Sequence, residues 1–155
     1  MIIWQSCCDS SCDCDDACKK SYLFSFVQGA GEYSKEDIDT LEVRYKFEGT
    51  RNFDTTHFYL INGSFFPNSI CAGNNILALE KNLADKNGKL VRVEAYKIFT
   101  AVDSFRVDGM DLTVTKSGEK CCKCISTIER KFQLDSIPLV QTSHQPVVVP
   151  VARKK

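Results

Sequence analysis

Residues 41–47, Leu41-Glu42-Val43-Arg44-Tyr45-Lys46-Phe47, alternate apolar and charged side chains without a miss. A period of two is that of a β-strand buried on one face, so Leu41, Val43, Tyr45 and Phe47 are assigned to a core. The same reading predicts strands over 22–28, 56–61, 90–99, 104–107, 111–116 and 122–134. Turn residues fall between them at Gly29, Gly31, Glu48-Gly49, Asn62-Gly63, Asn87-Gly88, Asp108-Gly109 and Ser117-Gly118. Asp108-Gly109, set between two such runs, reads as a tight hairpin. One stretch breaks the pattern. Ile76, Leu79, Glu80 and Leu83 follow Asn74-Asn75 and precede Gly88, a spacing that predicts a capped helix. Ser34-Lys35-Glu36-Asp37 predicts a single helical turn. About seven strands with at most one short helix make an all-β, antiparallel, sandwich-like domain, with a closed barrel as the other solution.

The organisation that follows is a cysteine-rich acidic tether over 1–20, a β domain over 21–140, and an extended or disordered tail over 141–155 that holds Pro146 and Pro150. At 155 residues the chain suits one domain with a genuine core. Twenty basic and twenty acidic residues cancel, which argues against an electrostatic nucleic-acid binder. Read along the chain, no basic stripe with interleaved aromatics stands out either, so no nucleic-acid partner is expected. No run approaches the ~18 apolar residues of a membrane-spanning helix.

The nine cysteines change the picture, because eight fall in two clusters. Cys7, Cys8, Cys12, Cys14 and Cys18 lie in the first eighteen residues, Cys121, Cys122 and Cys124 near the other end, and Cys71 stands alone. Bunching of this kind means crosslinking, metal binding or attachment. For disulfides, vicinal cysteines are poor partners for each other, so Cys8, Cys12, Cys14, Cys18, Cys121, Cys122 and Cys124 are candidates for bridges that reach outward. At least one link between 8–18 and 121–124 is expected, since a polar arm has little else to fix it. Closing so long a loop constrains the unfolded chain by about 4–5 kcal/mol in the entropic account. For metal, Cys12, Cys14, Cys122 and Cys124 form two Cys-x-Cys pairs, enough thiolates for one Zn or Cu(I) ion. His57 and His144 lie far from both clusters in sequence, and clustered cysteines of exported proteins are usually bridged. Disulfides are the favoured reading and metal the alternative.

No catalytic constellation emerges, and no enzymatic activity is expected. Cys71 with His57 is the one nucleophile–base pairing outside the clusters, and nothing around either residue supports it. Asp9, Asp13, Asp15 and Asp16 lack the spacing of a calcium loop and read as a solvated acidic arm. Phe65-Phe66-Pro67 is a loop-borne aromatic pair with the character of a binding lip, against the default that both rings fold onto the sandwich. Asn62-Gly63-Ser64 matches a glycosylation acceptor that matters only in a suitable host.

The run Cys7-Cys8-Asp9-Ser10-Ser11-Cys12-Asp13-Cys14-Asp15-Asp16 resembles the segment after the cleavage site of small lipoproteins from Bacteroidota. Ser6 takes the place of the small residue before a lipidated cysteine, whereas Trp4 and Gln5 depart from the usual lipobox. The stretch 36–45 with Asn52-Phe53 is similar to uncharacterised members of that group. The resemblance covers the N-terminal third. It implies lipidation at Cys7, a membrane anchor on the bacterial envelope, a leader upstream of Met1, and a compact β domain whose role is structural or is the binding of a protein or glycan ligand. With Cys7 acylated, eight cysteines remain, an even number for pairing. An intracellular accessory domain with reduced thiols is the second alternative.

Overall fold

The computed structural model describes residues 18–28, 32–67, 74–118, 123–142 and 147–149. Among these, the elements in chain order are β1 (Tyr22–Ser25), α1 (Lys35–Ile38), β2 (Thr40–Phe47), β3 (Asp54–Ile61), β4 (Ser64–Phe66), β5 (Ile76–Leu79), β6 (Asn82–Ala84), β7 (Leu90–Phe99), β8 (Ser104–Ser117), β9 (Cys124–Leu134), β10 (Ile137–Gln141) and β11 (Val147–Val148). They form two sheets. The larger runs β10-β9-β8-β7-β2-β3-β4, with β6 paired to β7 beside that path, and its ladders are antiparallel. The smaller runs β11-β1-β5, with β11 parallel to β1. The all-β, antiparallel, sandwich-like class expected from the alternation is the class observed.

β2 shows how the pattern becomes packing. Leu41 and Val43 are buried on one face, while Glu42 and Arg44 stand on the other. Alternation does the same in β1, where Tyr22 and Phe24 are fully buried, and the face continues through Phe26 just beyond the strand. These three rings meet the large sheet edge-on or tilted: Tyr22 and Phe24 each lie 5.6 Å from Phe132, and Phe26 lies 5.8 Å from Phe105. Burying a side chain of this size contributes roughly 1.5–3 kcal/mol, and edge-to-face geometry adds about 0.5–1.5 kcal/mol per pair. The small sheet is therefore the lid of an aromatic core. α1 closes one end, with its first turn held by the reciprocal bonds of a capping box. Ser34 Oγ accepts from the Asp37 N–H at 3.2 Å, and Asp37 Oδ2 accepts from the Ser34 N–H at 2.8 Å.

Three expectations are corrected. The helix over 76–83 is instead two strands, β5 and β6. Ile76, Leu77, Ala78 and Leu79 pair residue for residue with Ser25, Phe24, Leu23 and Tyr22. A continuous apolar run with a partner strand wins over a helical spacing that coincided with it, and Asn75 takes a positive φ rather than a cap. The hairpin at Asp108-Gly109 is a bulge inside the unbroken strand β8, where the register to β9 shifts between Asp108 and Asp111. Gly109 supplies the left-handed φ of +60° that this needs. In the tail, Val147 and Val148 are extended as expected and pair in parallel with β1, and Val149 is buried in the core. Finally, Phe65 is fully buried against Phe26, at 5.7 Å, so it is core and not lip. Phe66, next along β4, points the other way and is exposed.

Candidate functional site: an apolar cleft and the root of the arm

The three-stranded sheet covers only part of the inner face of its larger neighbour. Beyond its edge, towards β3, an open cleft of about 360 Å³ remains. Val43, Phe58 and Tyr96 of the large sheet form its floor, and Leu79, Glu80 and Leu83 form the opposite wall. Ligand pockets typically occupy ~300–1,000 Å³ with mostly apolar walls and a few placed polar groups, and this cleft sits at the small end of that range.

Two of its polar side chains, Tyr96 and Glu80, are held by bonds already made. The Tyr96 hydroxyl donates to the Glu80 carbonyl at 2.5 Å, and the Ser21 hydroxyl donates to Glu80 Oε1 at 2.5 Å. Burial, reinforced by the nearby Glu80 charge, pushes the Tyr96 phenol well above its ordinary value, so it stays neutral. A floor of aromatic rings, with the Tyr96 phenol neutral and engaged, can hold a small apolar group.

The second feature is where the N-terminal arm enters the domain. Residues 18–20 form a turn closed by the Ser21 N–H donating to the Cys18 carbonyl at 3.2 Å. Arg130 of β9 is fully buried and donates from Nη2 to the Lys19 carbonyl. Burial pulls its guanidinium below the ordinary value, and Tyr22 opposes that shift. The Tyr22 hydroxyl in turn donates to the Asp111 carbonyl of β8 at 2.7 Å. Lys19 also lines a polar recess with Ile125 and Thr127 of β9. Thus the last residues of the arm are bound to the β8–β9 hairpin, and Cys124 begins β9 opposite Ser117. Nothing in the local sequence marks Arg130 for this: it looks like one more charge in an alternating strand. The clue was its parity, since it shares a face with Ile128 and Phe132.

The remaining expected site residues are placed as follows. Cys7, Cys8, Cys12, Cys14, Cys71, Cys121, Cys122 and His144 lie outside the described residues. The lipidation site, most of the disulfide candidates, and three of the four alternative metal ligands are therefore among those. Within the described residues no group of three or more His, Cys, Asp or Glu side chains is arranged to hold a metal ion. His57 lies on the outer face of β3 opposite Glu42. Phe66 pairs across the β3–β4 hairpin with Tyr59, and both are about half exposed. No helix among the described residues is long and apolar enough to cross a membrane. No family model, curated protein or solved structure matches the chain.

Proposed function

We propose that this chain is a non-catalytic binding domain of the bacterial envelope, held by its cysteine-rich arm and receiving a small, mainly apolar group in the cleft between its sheets. The observation that carries the binding role is the cleft itself. It is walled by Val43, Phe58, Leu83 and Tyr96, and two of its polar side chains are already engaged, Tyr96 with the Glu80 carbonyl and the Glu80 carboxylate with Ser21. Attachment through an acylated Cys7 rests on the resemblance of the arm to lipoprotein tethers. The arm's fixed root supports it, because a tether transmits position only if its last residues are bound to the domain. Lys19 is bound by Arg130, and Ser21 by Glu80.

Crosslinking of the two cysteine clusters belongs to the same reading. In this reading Cys18, in the turn at the root of the arm, and Cys124, at the start of β9, are both committed to bridges. Residues adjacent to each, Lys19 and Ile125, line one recess. Bridges between 8–18 and 121–124 would staple the arm along the hairpin to which its root is already bonded.

The test of the binding role uses anilinonaphthalene sulfonate, an apolar fluorescent probe. Saturable one-site binding by the folded protein is expected, with at least tenfold loss in Leu83→Trp, which fills the entrance. Equal binding by both proteins would overturn the cleft as the site. The anchor is tested in the native host, where the full-length protein should sediment with membranes and Cys7→Ser should release it. Digestion without reductant should yield a crosslinked peptide joining 8–18 to 121–124. Thiols that become alkylatable only after chelation would replace this reading with the Zn or Cu alternative.

A further inference from the structure

The outer face of the large sheet carries a feature that no linear scan contains. Arg44 of β2 stands directly opposite Lys97 of β7, and Lys97 directly opposite Arg106 of β8. Directly opposed residues share a face, so the three cations form one row across three adjacent strands, about 5 Å from one to the next by strand spacing. Like charges in direct cross-strand opposition destabilise a sheet. Lys97 has such a neighbour on both sides, in a chain whose net charge is zero. A local arrangement that costs stability without a structural gain is the mark of a functional surface.

The row is also held in place. Arg44 Nε donates to Glu42 at 2.7 Å and Arg106 Nε donates to Asp108 at 2.8 Å, each to a carboxylate two residues away on its own strand. Each brace occupies the Nε edge of the guanidinium. Among the described residues, no Nη group of Arg44 or Arg106 has a hydrogen-bond partner, and both side chains are 44% exposed. Arg44 further rests on the Phe99 ring and Lys97 on the Phe53 ring, each 4.5 Å from the centroid. The two forks are thus oriented and open, with an ammonium between them that has no carboxylate partner among the described residues.

We propose that this row binds an acidic polysaccharide whose sugars carry carboxylates. A guanidinium fork matches a carboxylate with two parallel N–H···O bonds. Cations one strand apart meet anionic groups repeated at about the length of a sugar ring. The flanking polar side chains suit sugar hydroxyls: Glu42 and Asp108 as acceptors, with His57, Thr55 and Ser104 on the same face. Single-stranded nucleic acid fits less well, because it binds largely by stacking its bases on bare aromatic faces. Phe99 and Phe53 support cations here instead of standing bare for stacked bases. The surface lies on the opposite side of the sheet from the cleft, and the proposal does not depend on the cleft or on the anchor.

Affinity electrophoresis of the full chain in native gels provides the test, with polygalacturonate, its fully methyl-esterified form, or oligo-deoxythymidine in the gel. Retardation is expected with polygalacturonate alone. Lys97→Glu should weaken it at least tenfold, and Arg44→Gln with Arg106→Gln should abolish it. Lys131→Gln, on the same face outside the row, should leave it unchanged. The Lys97→Glu protein should melt no lower than its parent, which separates loss of binding from loss of fold. Absence of retardation, equal retardation by the esterified chain, preference for the oligonucleotide, or indifference to Lys97→Glu would each overturn the proposal.

Discussion

His57 and Phe58 are neighbours on β3, as are Arg44 and Val43 on β2, yet each pair is divided between two chemical environments. On the inner face, Val43, Phe58, Tyr96 and Phe105 belong to one apolar core, and the Tyr22 and Tyr96 hydroxyls there are bonded to backbone carbonyls. On the outer face, Arg44, Lys97 and Arg106 stand side by side in partial exposure, with acids bracing two of them. The same strands, hydrogen-bond ladders and register serve both. What differs is how much error each face tolerates. Inside, a charge has nowhere to be solvated. Outside, even an unfavourable charge pattern costs little enough to be kept for a purpose.

The largest contrast should come from one added charge placed on either face. Val43→Asp puts a carboxylate among buried apolar side chains and is expected to destabilise by about 3–5 kcal/mol. Arg44→Asp, one residue on, should change stability by no more than about 1 kcal/mol. Urea unfolding followed by circular dichroism reads both. Comparable losses at the two positions would mean the outer face is covered in the native molecule.

Arg130 and Lys131 repeat the comparison on β9 with two cations. Arg130→Ala removes the donor to the Lys19 carbonyl and leaves a void where a fully buried side chain stood. It should cost about 2–4 kcal/mol, against less than about 0.5 kcal/mol for Lys131→Ala. Limited proteolysis sharpens this, because loss of the Arg130 bond should expose the chain near Lys19 and Lys20 to trypsin. Unchanged cleavage would show that Ser21 and the proposed bridges hold the arm's root without Arg130.

How much of this was legible depends on what a residue needs in order to be read. β2 and β7 were visible in full, because alternation and length are local properties. The single turn at Ser34–Asp37 was visible for the same reason, since a capping box spans four residues. The helix over 76–83 failed because Ile76, Leu79 and Leu83 fit a helical spacing as well as two short strands, and only the partner β1 decides between them. Phe65 and Phe66 were treated as one lip, although adjacent residues on any strand must part company. Recognising Ser64–Phe66 as a strand would have divided them correctly. The cation row was beyond reach altogether. Residues 44, 97 and 106 become neighbours only through the register of three strands, and one step of slip in either ladder would scatter them.

Alkaline pH separates the faces by a different route. Tyr22, on the inner face of the lid, is buried, and desolvation, aided by Asp111, raises its phenol from 10.0 to about 12. Tyr33 and Tyr96 are raised as well, by burial first, with Asp103 and Glu80 contributing. A pKa raised on folding gives stability that is fully present below the unfolded value and lost as pH climbs through the folded one. The domain should therefore hold its stability to about pH 10 and lose it progressively up to about 12, and Tyr22→Phe should flatten part of that decline. Stability measured by urea titration across this range, with phenolate absorbance recorded in parallel, tests the point. Phenols that ionise near 10 without unfolding would place those hydroxyls in water.

The smallest expected effect is the most specific to the outer face. Lys97→Glu converts a run of three cations into an alternating one, so both cross-strand repulsions become attractions. Each exposed pair is worth only about 0.2–1 kcal/mol, so a gain near 1 kcal/mol is expected, or roughly 2–4 °C in melting temperature for a domain of this size. The gain should shrink in 1 M salt, where the screening length falls to about 3 Å. Raising the salt should also stabilise the unaltered protein slightly by relieving the same repulsion. Lys46→Glu offers the opposite sign from the same face, since it breaks the 3.0 Å pair with Glu94 and sets two acids together. A loss of stability in Lys97→Glu, independent of salt, would mean that the Lys97–Phe53 stack outweighs the repulsion. Lys97 would then be a structural residue, and the row would be a consequence of packing instead of a surface kept at a cost.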